Sequence, residues 1–281
     1  MAASSPPFRK PSKNIHTHPL HTGPPMTRKA IRHKFSNGRG EELAGIIDMP
    51  AKEPMFWGVF APCFTCPKES HGAAKICRAL AEDGAAMLRF DLTGLGESDG
   101  RFADTNFTTR IADIMAACRE IEKSFAPPKL LIGHSISGTA AIPAMKQLPS
   151  IQALATVGSP RDPSYVMEKF HRSNEMVFKE DTVEVMVVGR KVSFRRSFVE
   201  DMMSQQVPEE TAKLDRKLFV FHAPFDSIVS FENAQAIFDR ATCDKELITL
   251  DDRATHLFDN RKDDAVFVAE TLMEWFRVHL R

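Results

Sequence analysis

A chain of 281 residues lies at the upper end of what one hydrophobic core supports, so one large domain with insertions is expected rather than two. Lys plus Arg and Asp plus Glu number 37 each, which leaves no net field to attract nucleic acid or an anionic membrane and argues against a nucleic-acid binder. Five cysteines are too few and too irregularly spaced for a disulfide framework, and the chain has neither a run of about 18 apolar residues nor an apolar signal core, so it reads as a cytoplasmic protein with no membrane span.

Residues 1–25 contain Pro6, Pro7, Pro11, Pro19, Pro24 and Pro25, and the first acidic residue of the chain is Glu41. With hardly any large apolar side chain to bury, this basic segment is expected to be a disordered tail preceding a folded domain at 26–281. Its lack of acids suits an organelle-import leader, but the prolines would break the amphipathic helix such a leader needs. His16, His18 and His21 are candidate metal ligands. A solvated tail is the stronger reading, because an unfolded segment has no surroundings to fix ligand geometry. Met26 is an alternative start.

From residue 28 the pattern becomes regular. Asn37-Gly38 accepts the positive φ of a tight turn and predicts an antiparallel hairpin leading into a sheet. Apolar runs suited to buried strands follow at 55–61 (MFWGVFA), 85–90 (AAMLRF), 129–133 (KLLIG), 153–158 (ALATVG), 217–223 (KLFVFHA) and 246–250 (ELITL). Between them lie stripes of helical period, among them Ala73, Ile76, Cys77 and Leu80, then Ile111, Ile114, Met115 and Cys118, and finally Ala265, Val268, Leu272, Trp275 and Phe276. The alternation predicts an α/β fold: a mainly parallel sheet with helices on both faces, whose sites form at the carboxyl ends of the strands.

One stretch breaks the alternation. Residues 161–215 hold about three times the length a crossover helix needs, including a hairpin pattern with Gly189 at its turn, and predict a lid insertion. Its Tyr165, Met167, Phe170, Met176, Phe178, Met186, Phe194, Phe198, Met202 and Met203 suit an apolar cover over a pocket, or equally additional core.

The chemistry begins where KLLIG runs into His134-Ser135-Ile136-Ser137-Gly138 and a helix-competent segment. Strand, sharp turn with serine, then helix describes a nucleophile elbow, in which the helix amino terminus favours developing negative charge. The second glycine of the usual GxSxG is replaced by Ser137, whose extra atoms a turn with slack absorbs and a fully packed turn does not. Taken alone, the segment could equally be an N-capping serine on a buried helix. Asp226 follows the next-to-last strand and His256 the last one, so Ser135, Asp226 and His256 occur in the chain order of an α/β-hydrolase triad: nucleophile, orienting acid and general base. Asp251 and Asp252 are weaker candidates for the acid, being too near His256 in sequence.

The segments FAPCFTCPKES (60–70), LRFDLTGLGESDGRFADTNF (88–107), LLIGHSISG (130–138), FHAPFDSIV (221–229) and ATHLFD (254–259) together resemble the α/β-hydrolase superfamily, most closely a bacterial-type branch sometimes fused to an OsmC-like domain. The likeness covers the chain from about Met26 to its end. It implies a serine esterase or serine aminopeptidase-like enzyme acting on a small-molecule carboxylic ester or related acyl compound, without a cofactor or bound metal. It also implies an oxyanion hole formed by the backbone amides of Ile136 and Phe64, in a loop where many relatives carry histidine in place of Pro62.

Two other readings stay open on the residues alone. Cys63 and Cys66 form a CxxC between a strand and a helix, the setting of a thiol redox pair; a zinc site would need further ligands. Ser137 and Pro62 also admit a hydrolase fold that has lost activity and serves as a binding protein.

Overall fold

The computed structural model describes residues 29–172, 176–179, 181–187, 190–258 and 263–280. The expected tail, Gly189 and Asp259 lie outside the described residues. The elements are β1 (Lys29–Ser36), β2 (Glu42–Met49), β3 (Phe56–Ala61), α1 (His71–Glu82), β4 (Ala85–Phe90), α2 (Phe107–Ser124), β5 (Leu130–His134), α3 (Ile136–Ala144) and β6 (Ala153–Val157). They continue with α4 (Pro163–Arg172), β7 (Met176–Phe178), β8 (Thr182–Val187), β9 (Arg190–Arg195), α5 (Arg196–Ser204), α6 (Val207–Thr211), β10 (Lys217–His222), α7 (Glu232–Arg240), β11 (Lys245–Thr249) and α8 (Asp263–His279).

The main sheet has 8 strands in the order β1-β2-β4-β3-β5-β6-β10-β11. β1 and β2 form the antiparallel hairpin around Asn37-Gly38, with Gly38 at φ 77, and β2 joins β4 antiparallel. Every later pairing is parallel. The central strands β3, β4, β5, β6 and β10 are buried along their whole length, as their continuous apolar runs require when both faces are covered. The two faces build separate cores: Ile76, Cys77, Leu80, Val268, Leu272 and Phe276 from α1 and α8 on one side, and Ile114, Met115, Ala140 and Ala141 from α2 and α3 on the other.

The segment 161–215 folds as α4, a three-stranded antiparallel sheet β7-β8-β9, and the helices α5 and α6. Its apolar residues divide. Met167, Phe194, Phe198 and Met202 are buried, whereas Phe178, Met186 and Met203 are exposed. Thr108 at the start of α2 donates its amide and hydroxyl to Asp201 at 2.9 and 2.6 Å, and Arg195 donates to Asp104 at 2.8 Å, so the segment is fastened to the loop and helix that follow β4.

What positions the site is a near-contact of backbones. A Cβ added to Gly133 would lie 2.4 Å from the Cα of Gly138, and one added to Gly138 would lie 2.6 Å from the carbonyl oxygen of Gly133. No side chain fits there, so the end of β5 and the first turn of α3 are held closer together than any other residue permits. The glycine that this close approach demands after the serine is therefore residue 138, and Ser137 occupies a position with room for its side chain.

We expect Gly133→Ala to destabilise the fold by about 1–3 kcal/mol through overpacking against backbone that has no soft way to yield. Guanidinium unfolding of the purified variant measures this; an unchanged midpoint would contradict the contact.

Candidate active site

Ser135 follows β5 directly and has φ 57 and ψ −132, a left-handed conformation that a non-glycine residue adopts only when its surroundings enforce it. The Ser135 amide donates to the Val157 carbonyl at 2.8 Å, and the Ser135 carbonyl accepts from the Gly138 amide at 2.9 Å. The strand is thus pinned on one side of the turn and the helix starts on the other. The Ile136 amide, first in α3, has no acceptor among the described residues and carries the positive end of the helix dipole.

Asp226 and His256 sit on the loops after β10 and β11, the two strands beyond β6. His256 Nδ1 lies 2.7 Å from Asp226 Oδ2, which fixes the tautomer: a carboxylate accepts, so Nδ1 carries the hydrogen and Nε2 presents its lone pair. The other carboxylate oxygen accepts from the amides of Ile228 at 2.8 Å and Val229 at 2.9 Å. Burial pushes the Asp226 carboxyl upward, but the hydrogen bond and charge of His256 together with these two amides outweigh it and hold the group below the usual carboxylate range. Gly158, after β6, makes room for the pair: a Cβ there would stand 3.2 Å from His256 Nδ1 and 3.4 Å from Asp226 Oδ2.

The imidazole is tied to the serine turn through the residue before it. His134 Nε2–H donates to the His256 carbonyl at 2.8 Å, and the two rings are 5.1 Å apart. Burial lowers the His134 pKa to about 3, so this ring remains neutral and acts as a strut. His222 plays the corresponding part in the acid loop, donating to the Val229 carbonyl at 2.8 Å, and burial lowers its pKa too. Ser135, Asp226 and His256 are each less than a tenth exposed. Among the described residues the Ser135 hydroxyl makes no hydrogen bond, to His256 or to any other group.

The loop after β3 lies against the turn that carries the serine. A disulfide joins Cys63 to Cys66 and closes the CxxC around Phe64 and Thr65. Further along, the Lys68 amide and ammonium bond Asp91 at 2.6 and 2.7 Å, while the Arg89 guanidinium donates to the Lys68 carbonyl at 2.7 Å. The two departures noted in the sequence meet here: the Ser137 hydroxyl donates to the Pro62 carbonyl. Arg110, buried on α2, donates to Ser137 Oγ at 2.8 Å, to the Cys63 carbonyl at 3.3 Å and to the Phe64 carbonyl at 2.9 Å. The apolar stripe of that helix gave no reason to single out this arginine. The Phe64 ring packs against Phe102, Phe170 and Phe198 with centroids 5.6, 6.4 and 5.8 Å away, which brings the inserted segment over this loop.

A family model described as serine aminopeptidase, S33, matches residues 68–180. The chain is similar in structure and sequence to the esterase domain of a Rhodothermus marinus protein, with 36% identity over 89% of this chain and 98% of that one and a TM-score of 0.72. Est1E from Butyrivibrio proteoclasticus with ferulic acid bound shares the fold at 22% identity and TM-score 0.73, covering 88% of this chain and 99% of that one. Mouse alpha/beta hydrolase domain-containing protein 10 does so at 18% identity and TM-score 0.68, over 88% and 99% respectively. No curated protein sequence gives a significant match. Among the described residues no helix is long and apolar enough to cross a membrane.

The buried neutral His134 makes a prediction about acid stability. Its folded pKa of about 3 lies below the ordinary value of 6.5, so the unfolded chain takes up the proton first, and stability is lost as pH falls from 6.5 toward 3. In His134→Gln the slope of unfolding free energy against pH across that window should be shallower than in wild type, measured by denaturant titration at each pH; parallel slopes would contradict a buried, neutral ring.

Proposed function

This chain belongs to the α/β-hydrolase superfamily, and on that premise we propose that it is a serine hydrolase that cleaves a carboxylic ester or related acyl compound through an acyl-enzyme. The observation that supports this most directly is the serine at φ 57 between β5 and α3, on the same sheet edge as an aspartate–histidine pair joined at 2.7 Å. Ser135 is the nucleophile. His256 Nε2 takes the hydroxyl proton as the oxygen attacks the acyl carbon, then returns it to the leaving alkoxide; Asp226 fixes the tautomer and stabilises the imidazolium that forms between the two steps. The amides of Ile136 and Phe64 receive the charge on the carbonyl oxygen. Water then repeats the sequence on the acyl-enzyme and releases the acid.

Residues 161–215 act as the lid over the acyl site. Lys169 of α4 donates to the carbonyls of Ser227 and Ile228, beside Asp226, and the Tyr165 hydroxyl accepts from the Ser230 amide at 3.3 Å, while Phe170 and Phe198 pack on Phe64. The insertion thus touches both the acid loop and the oxyanion loop. The esterase neighbours support a small-molecule substrate.

The Cys63–Cys66 disulfide favours a second reading, a thiol redox protein. Thiol titration with and without reductant separates the two: a cycling disulfide without esterase activity would select the redox protein.

For the serine hydrolase, a fluorophosphonate probe should label wild type and not Ser135→Ala, and that substitution should lower kcat on a short-chain p-nitrophenyl ester by roughly 10^4- to 10^6-fold. Asp226→Asn, which disturbs the tautomer while keeping the shape, should cost about 10^4-fold. Labelling that persists in Ser135→Ala would reject this serine as nucleophile.

A further inference from the structure

An amide serves an oxyanion only when its N–H faces the acyl carbon; a peptide plane turned over presents a carbonyl instead and repels the charge. A trans peptide sets its C=O and N–H on opposite sides, and no cis bond occurs among the described residues. Whatever holds the carbonyl of Cys63 therefore fixes the direction of the Phe64 N–H. Arg110 holds it, with Nη1 3.3 Å from that carbonyl and 2.8 Å from Ser137 Oγ, and Nη2 2.9 Å from the carbonyl of Phe64. The Ser137 hydroxyl donates in turn to the carbonyl of Pro62. Carbonyls of successive residues 62, 63 and 64 are gripped by this one pair, which leaves the following N–H groups directed away from it. Among the described residues the Phe64 N–H has no acceptor.

Resting on the serine-hydrolase reading above, we propose that Arg110 and Ser137 are positioning residues of the oxyanion hole: they lock the Cys63–Phe64 peptide plane so that the Phe64 N–H is aimed at the developing oxyanion. The chemistry of Arg110 fits that task better than filling space. A buried cation is costly unless its surroundings satisfy it, and here its acceptors are the oxyanion loop and the elbow, with the Phe64 ring 5.6 Å from the guanidinium carbon. Burial lowers its pKa to about 10, which leaves it charged at neutral pH. An apolar side chain would fill the same volume and hold no peptide plane.

The test compares wild type, Arg110→Met, Ser137→Gly and the double variant for kcat and KM on a short-chain p-nitrophenyl ester, for inhibition by an alkyl boronic acid, and for Tm. The tetrahedral adduct of a boronic acid with the serine places an oxygen where the oxyanion forms. Arg110→Met should lower kcat roughly 10- to 100-fold, short of the roughly 10^2- to 10^3-fold loss when a donor is removed outright, and should move KM by less than about threefold. The inhibition constant for the boronic acid should rise by about the factor that kcat falls, because both report on the same donor. The double variant should be no slower than Arg110→Met by more than about twofold, since both substitutions release the same planes. A folded Arg110→Met that keeps kcat within about twofold of wild type, or loses kcat with no change in boronic acid inhibition, overturns the assignment. Should Arg110→Met not fold, Ser137→Gly decides, because it removes the hydroxyl shared by Arg110 and Pro62; unchanged kcat and inhibition in that variant overturn the proposal. A wild type that neither hydrolyses esters nor reacts with a fluorophosphonate overturns the serine-hydrolase reading itself, which is distinct from an active wild type beside an indifferent Arg110→Met.

Discussion

The arrangement depends on the contact between the backbones of Gly133 and Gly138. Because a Cβ at either position would fall within 2.4–2.6 Å of the other segment's backbone, strand and helix approach closely enough for the chain to reverse within the single residue Ser135. That reversal costs on the order of 1–3 kcal/mol in backbone strain, offset by the amide bond to Val157 and by the helix that begins at Ile136. With the contact intact, the hydroxyl stands at the carboxyl edge of the sheet beside the first helical amide. Relax it, and the same serine becomes an ordinary helix cap. Parallel pairing of β5, β6 and β10, then β10 with β11, supplies the remainder, since it places the loops with Gly158, Asp226 and His256 at successive strand ends along that edge.

Charge at this edge is allotted with equal economy. Asp226 is buried, and a buried carboxylate is tolerable only where donors surround it; the imidazole and two amides meet that requirement and keep it ionised. Two neighbouring histidines are treated in the opposite way. His134 and His222 are both shifted downward by burial and use their single N–H on backbone carbonyls of the His256 and Asp226 loops. They therefore fix the loops without adding positive charge beside the aspartate. The ion pair that the proposed mechanism forms transiently between Asp226 and His256 then has no second imidazolium beside it from either of these two rings.

Much of this was legible in the sequence because it is written in local patterns. The buried strands announce themselves as continuous apolar runs: AAMLRF spans residues 85–90 and is found as a strand with those bounds. The loops carrying Asp226 and His256 follow directly from strand ends, so chain order alone located them. Pattern reading failed where a residue's partners come from distant segments. Arg110 sits among Ile111, Ile114 and Met115 on a helix whose stripe reports core, and a charged residue next to such a stripe reads as solvent-facing; its burial against the loop 62–64 is a tertiary fact with no periodic signal. The short strand β7, only three residues long, was likewise invisible, so the inserted sheet read as a hairpin. The Cys63–Cys66 pairing was open for the same reason: spacing permits a bond, and only geometry places the two sulfurs together.

Pro62 and Ser137 show why a motif is better judged by the job each position performs than by the letters that usually fill it. Taken separately, each departure looks like damage: a proline withdraws an amide from the loop proposed to bind the oxyanion, and a serine replaces a glycine in the elbow. In the folded chain they satisfy one another. Proline keeps its carbonyl, and a fully buried hydroxyl must find an acceptor, so the Ser137 side chain spends its hydrogen on Pro62 and its lone pair on Arg110. The steric job of the missing glycine has not been lost either, because the close approach to Gly133 is made by residue 138. Substituting glycine at 137 would therefore relieve no crowding and would leave the Pro62 carbonyl and one guanidinium N–H without partners in a buried place. The conventional residue at this position would make the site of this particular chain less ordered, which is the reverse of what comparison with the usual motif suggests.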